Sequence, residues 1–221
     1  MILFDYLSDG QKRRSLCLLA FFHIFIITLS NYLVQIAFEI PVPFSEMAIP
    51  TTWGTFSFPF IFLATDLTVR VFGANLARKI IFIVMFPALL VSYIISVIFF
   101  EGQFQGLGTL AEFNFFVFRI ALASFAGYVV GQLLDILVFN RLRQGKTWWL
   151  APACSTIFGS FIDTFVFFAV AFHQSSDAYM AEHWFTISLV DYAFKLFVSL
   201  QLFLPLYGVL LNVLVKKLHL R

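Results

Sequence analysis

Seven ionisable residues sit inside strongly apolar stretches of the chain: Asp66 and Arg70, Arg119 and Asp135, Asp163, and Asp191 and Lys195. Carboxylates accept hydrogen bonds and their basic neighbours balance the charge, a combination that can hold a flat polar solute where water is excluded. Asp66/Arg70 and Asp191/Lys195 are spaced i, i+4, so on a helix each acid shares a face with its base. Near the centre of a bilayer each such group costs about 2.5 to 3.5 kcal/mol on insertion scales. That burden needs compensation. Self-pairing supplies part of it, which leaves two readings for Asp66/Arg70: a helix fastener, or one wall of a polar cavity.

The elements that must position these groups follow from composition. The chain has 221 residues, 61% of them hydrophobic and 12% charged. Several windows exceed the roughly 18 to 20 apolar residues needed to cross a hydrocarbon core. The apolar runs are continuous, which excludes the alternating strands of a β-barrel. The expectation is an all-α integral membrane protein, a single transmembrane domain over 1–221, with six transmembrane helices at about 15–37, 56–73, 78–100, 113–139, 148–172 and 184–214. A net charge of +2 points to no nucleic-acid partner. Cys17 and Cys154 both fall within spans and read as packing residues. Lys12, Arg13 and Arg14 precede an apolar run that has no A-x-A pattern, so it reads as an uncleaved first helix.

Lys and Arg in the short loops set the orientation. Lys12, Arg13 and Arg14, then Arg78 and Lys79, then Arg141, Arg143 and Lys146, then Lys216, Lys217 and Arg221 mark one side. The other three loops carry Glu39 and Glu46, Glu101 and Glu112, and Asp177 and Glu182. This alternation supports six spans and places both termini in the cytoplasm. Trp148 and Trp149 fall at the inner interface and Trp184 at the outer one, where aromatic anchors belong.

Depth ranks the buried charges. At 1.5 Å per residue from Trp184, Asp191 lies about 10 Å and Lys195 about 16 Å below the outer surface, while Asp163 lies about 21 Å above the inner one. These three share a layer. Asp66 falls near the midplane, and Asp135 near the cytoplasmic surface as a partner for the basic loop. Arg119, early in span four, either reaches the outer cavity or snorkels to the interface. Asn31 and Gln132 can hydrogen-bond across helices or touch a ligand. Trp53 and Phe58, near the outer entrance, are the aromatics expected to stack on a flat solute. Ala123, Gly127 and Gly131 form a small-residue stripe that reads as close helix packing. Pro59, Pro87 and Pro205 lie within or near span ends and free backbone groups there.

Other motifs fail on their surroundings. "GKT" at 145–147 has Asn140 where a phosphate loop needs glycine and no strand ahead of it. Gly159-Ser160 is followed by Phe161, and no His lies at depth in a later span to activate a serine. His173 and His183 with Asp177 and Glu182 flank one loop and read as interfacial residues in preference to a metal site. No cofactor is expected.

Read together, "SNYLVQ" at 30–35, "TTWGTFSFPFIFLATDLTVRVFG" at 51–73, "FNRLRQ" at 139–144, "WWLAP" at 148–152, and "AEHW" with "LVDYAFK" at 181–195 resemble the vitamin uptake transporter family, and within it the queuosine precursor transporters. The resemblance runs over about 15–215. It implies a carrier and not an enzyme, in a bacterial inner membrane, importing 7-cyano-7-deazaguanine and 7-aminomethyl-7-deazaguanine for salvage into tRNA. It implies six helices similar to the substrate-binding components of energy-coupling factor transporters, with cargo held toward the outer side by the later helices under a lid formed by the loop 38–55. That favours Asp163, Asp191 and Lys195 as the binding core, with Asn31, Asp66, Arg119, Trp53 and Phe58 around it. Span one lacks the A-x-x-x-A stripe by which such components dock on a motor, which argues against a separate ATP-driven module. The partners expected are lipid and a small-molecule 7-deazaguanine base; a homo-oligomer is left open. Two rivals remain: a binding subunit of an ATP-driven complex, and an intramembrane enzyme that uses the carboxylates as acid and base.

Overall fold

A computed structural model of the chain describes residues 7–44, 47–142, 150–198 and 201, without the side chains of 62, 66, 70, 74, 132–142 and 150–156. Seven α-helices and two small hairpins make up these residues: α1 (Asp9–Leu33), β1 (Ala37–Pro41), β2 (Ala48–Thr52), α2 (Gly54–Ser57), α3 (Pro59–Phe72), α4 (Ala74–Ile98), β3 (Phe99–Phe100), β4 (Gln103–Phe104), α5 (Phe115–Leu142), α6 (Leu150–Phe172) and α7 (Ala178–Val198). Residues 1–6, 45–46, 143–149, 199–200 and 202–221, with Glu46, Arg143, Lys146, Trp148, Trp149, Pro205 and the C-terminal basic residues, lie outside the described residues; they take in the basic loop before span five, the start of that span and most of the second half of span six.

Helix ends follow local chemistry. Ser8 and Gln11 form a reciprocal capping box at the start of α1, and Asp9 adds negative charge to its first turn. Pro59 stands at the first turn of α3, where its missing N–H costs nothing, so it starts a helix and does not interrupt one. Gly73, at φ 76°, breaks α3 from α4, a conformation that L side chains avoid. Pro87 lies inside α4. Asn114 caps α5 by accepting from the Val117 N–H at 3.0 Å, and Asp177 caps α7 by accepting from the Met180 N–H at 3.0 Å.

The helices pair α1 with α4, α5 with α6, and α6 with α7, while α3 lies against both α1 and α4. One apolar cluster joins Phe116, Ile120 and Ala123 of α5, Phe167, Phe168, Ala171 and Phe172 of α6, and Met180 and Ile187 of α7, with Val34 and Phe58. A second joins Ile27 of α1 to Met85 and Ala88 of α4. Polarity is inverted relative to a water-soluble bundle. On α1, Leu18, Phe21 and Phe25 face outward while His23, Ser30 and Asn31 are buried; on α4, Ile83, Phe86 and Leu90 face outward while Ser92 and Ser96 are buried. Asp9–Leu33 and Asn75–Ile98 are long and apolar enough to cross a bilayer, and Gly54–Val69, Phe115–Gly131 and Ile157–Phe172 are shorter apolar helices. The chain thus has the architecture of a largely helical membrane protein.

An all-helical reading omits the hairpins. β1 and β2 pair antiparallel with Phe38 opposite Thr51 and Ile40 opposite Ile49, so the segment between α1 and α2 is a built element. Its strands satisfy their own backbone groups, which a bare loop near lipid could not do. Beyond it, α2 touches the end of α1 at Gly54, where an added Cβ would lie 3.0 Å from the Cα and Cβ of Val34. Gly54→Ala is therefore expected to destabilise the fold by about 1–3 kcal/mol through overpacking, seen as a lower unfolding midpoint in detergent. Gly10→Ala, where a methyl would meet nothing within 4 Å, should leave the midpoint unchanged.

Candidate binding site

The i, i+4 spacing on α7 delivers the contact it promised. Lys195 Nζ lies 2.7 Å from Asp191 Oδ2, with 3% and 0% of the two side chains exposed. The ammonium also donates to Thr164 Oγ1 of α6 at 3.0 Å and sits 4.5 Å from the ring centroid of Phe58. At 2.7 Å the ammonium and carboxylate form a close, charge-assisted pair. The Thr55 hydroxyl borders that carboxylate and shares a proton with Thr51 at 3.1 Å.

Asp163 belongs to the same cluster. It feels the charges of both Lys195 and Asp191 and lies deep among the helices, yet its side chain stays half-buried. On α6 it points roughly 140–160° away from the exposed Phe158 and Phe161, and it packs against α5 at Gly127 and Gly131. The stripe that reads as simple packing in sequence therefore seats a carboxylate. Two carboxylates and one ammonium leave one acceptor group in excess among the described residues. Such a site favours a ligand that donates hydrogen bonds.

Several hydroxyls escaped the sequence reading. Thr164 holds Lys195, while Ser160 Oγ and Thr52 Oγ1 are fully buried and have no partner among the described residues. Buried polar atoms are normally satisfied, so unpartnered ones beside a charged cluster mark a place for a polar guest. The signal available was modest: Ser160 and Thr164 flank Asp163 on one face of α6, and Thr52 and Thr55 stand in the distinctive 51–73 segment.

Other expected residues serve elsewhere. Arg119 spends its guanidinium on the end of α6, donating from Nε to the Val170 carbonyl at 2.7 Å, from Nη1 to that of Gln174 at 3.1 Å, and from Nη2 to that of His173. It is a cap on orphan carbonyls and a cation at a helix C-terminus. Asn31 donates to Ser92 Oγ at 2.8 Å and accepts from Ser124 Oγ at 2.5 Å, which ties α1 to α4 and α5. His23, which sequence reading passed over, accompanies it on α1 and meets Thr68 Oγ1 at 3.1 Å. Thr68 gives its own proton to the Ala64 carbonyl, so His23 Nε2 is the donor. The side chains of Asp66, Arg70, Gln132 and Asp135 lie outside the described residues.

The two aromatics differ. Phe58 is buried beside Lys195 and meets Phe167 edge-on at 5.3 Å. Trp53 is 49% exposed and packs against Phe38 and Phe56, and Phe56 in turn meets Phe194 of α7, so the four form a layer of rings. Tyr179 of α7 donates to Glu39 of β1 at 2.9 Å. Loss of hydration and this carboxylate raise the Tyr179 hydroxyl to about 12, which keeps it a donor at neutral pH. In the first turns of α7 His183 Nδ1 meets the Tyr179 carbonyl at 3.0 Å, so His183 and the capping Asp177 both have local structural work.

A family model described as a vitamin uptake transporter matches residues 52–210. The chain belongs to the vitamin uptake transporter family. It is 62% identical over 218 residues to a Haemophilus influenzae protein named "Probable queuosine precursor transporter", covering 96% of this chain and 93% of that protein. It is 60% identical over 211 residues to the "Queuosine precursor transporter" of Escherichia coli K12, with the same two coverages. A Bacillus subtilis protein named "Probable queuosine precursor transporter" is 31% identical over 156 residues, 67% of each chain. No solved structure matches. Family membership makes the chain a transporter and not an enzyme.

Lys195→Met should strand Asp191 as a buried, uncompensated charge and cost about 3–5 kcal/mol of stability. Adding Asp191→Asn should return part of that loss. Unfolding of the single and double variants in detergent would measure both effects, and a double variant no more stable than Lys195→Met would count against the pairing.

Proposed function

We propose that this protein imports 7-deazaguanine bases, 7-cyano-7-deazaguanine and 7-aminomethyl-7-deazaguanine, the precursors of queuosine. The observation that carries the reading is the buried Asp163, Asp191 and Lys195 cluster, with its surplus carboxylate, in a chain whose 60–62% identical relatives bear that substrate in their names. A guanine-like edge offers two parallel N–H donors, from the ring N1 and the 2-amino group, and a carboxylate is the side chain that accepts both. Asp163 is the acid assigned to this task, because Asp191 is pinned by Lys195. The Lys195 ammonium then faces the ring oxygen next to that edge, and Thr55 and Ser160 offer hydroxyls for the remaining polar atoms. Phe58 forms an apolar wall, and the rings of Phe38, Trp53 and Phe56 cover the entrance from the hairpin.

The same reading includes one transmembrane domain of six spans in a bacterial inner membrane, both termini cytoplasmic. Its support is the strict alternation of basic and acidic loops along the chain. It is also a stand-alone carrier, since span one has no A-x-x-x-A stripe for docking a motor.

Cells unable to make their own precursor, supplied with it externally, provide the test. Asp163→Asn and Asp191→Asn, each exchanging an acceptor oxygen for a donor of the same shape, should reduce queuosine in tRNA at least about a hundredfold, as expected when a buried polar partner is left mismatched. Both proteins should remain in the membrane. Normal queuosine content with both variants would refute the site.

A further inference from the structure

Gly127 and Gly131 stand one turn apart on α5 and both face Asp163, with Phe167 Cβ also 3.5 Å from a methyl built on Gly127. A methyl on Gly127 would lie 2.7 Å from Asp163 Oδ1 and 3.1 Å from the Asp163 carbonyl oxygen; one on Gly131 would lie 3.3 Å from Asp163 Cβ. Real Cβ atoms do not approach heavy atoms as closely as the first of these, so the acid would have to move. It has little freedom to do so, with two side-chain torsions and its own backbone wedged against the same helix.

Close helix packing alone does not explain these glycines. Ala123, one turn further along the same stripe, is fully buried and carries its methyl. The stripe therefore accepts a methyl in the apolar cluster formed with Phe167 and Phe168, and lacks one where a carboxylate lies against it. Two further observations point to a ligand at this spot. Asp163 keeps part of its surface accessible, and Ser160, one turn away on α6, buries a hydroxyl that has no partner among the described residues.

We propose that Gly127, assisted by Gly131, is a positioning residue for cargo recognition. The glycine window fixes how deeply the Asp163 carboxylate seats against α5, and so fixes its placement relative to Asp191 and Lys195. Gly127 touches no cargo; it acts through Asp163. This inference rests on the reading of Asp163 as the acceptor for the N–H edge.

Binding to the purified protein of two probes separates the possibilities: 7-cyano-7-deazaguanine, and the same base without its 2-amino group. The wild type should prefer the first, and Asp163→Asn should abolish the preference. Gly127→Ala should weaken binding of the first about tenfold, as a displaced polar contact does, while leaving the second unchanged. Gly159→Ala, where a methyl would meet nothing within 4 Å, should behave as wild type. Equal weakening of both probes by Gly127→Ala would show a merely structural role and overturn the inference, as would full retention of the preference. If the wild type shows no preference, or Asp163→Asn keeps it, the assignment of Asp163 falls and takes this inference with it. Should Gly127→Ala fail to reach the membrane, Gly131→Ala carries the same comparison, with an expected loss of about threefold on the first probe alone.

Discussion

Lys195 and Asp191 meet at 2.7 Å with almost no exposed surface, and a second carboxylate, Asp163, stands within reach of both. In a medium of low dielectric, three such charges constrain everything near them, because any one left without its partner is costly. The constraint fixes α6 against α7, since Thr164 takes a hydrogen bond from the ammonium across that interface. It fixes α5 against α6, since the seat of Asp163 must be free of side chains. It also draws the base of the hairpin inward, where Thr55 borders Asp191 and Phe58 lies under the ammonium.

The rest of the bundle pairs polar groups with one another away from this layer. Asn31, Ser92 and Ser124 form one closed set between α1, α4 and α5, and His23 Nε2 meets Thr68 between α1 and α3. Arg119 closes the carbonyls at the C-terminal end of α6. Outward faces carry Phe, Leu and Ile, which lipid covers at no cost. Unpartnered buried polar atoms among the described residues lie both beside the acids, at Ser160 and Thr52, and along α1, just past it and on α4, at His23 Nδ1, Thr28, Ser30, Gln35 and Ser96.

Local spacing was the most legible part of the sequence. Asp191 and Lys195 share a helix face whatever surrounds them, so their contact could be read without a fold. Depth counting also brought Asp163 to their layer, because straight helices convert residue number into height. Roles set by distant partners could not be read this way. Arg119 finds carbonyls 51 to 55 residues away, and Asn31 finds hydroxyls 61 and 93 residues away, so each looked as suited to a ligand as to the fold. The small-residue stripe was visible, but not the carboxylate opposite it. The strands were hidden for another reason: AFEIP and AIPTT are five residues each and hold prolines, a weak pattern beside the long apolar runs.

The hairpin gives the arrangement its mechanical sense. It touches α7 through β2 and through the Tyr179 hydroxyl on Glu39, and α2, which follows it, adds Phe56 edge-on to Phe194 at 5.1 Å. Phe194 neighbours Lys195 in sequence, and Asp191 lies one turn earlier. One helix therefore carries both the contacts to these rings and the Asp191–Lys195 ion pair. A helix moves as a rod over these few turns, so a shift in the ring layer of Phe38, Trp53 and Phe56 also disturbs the geometry around Asp191 and Lys195. The ring layer and the buried charges are linked through α7, whichever of the two is disturbed first.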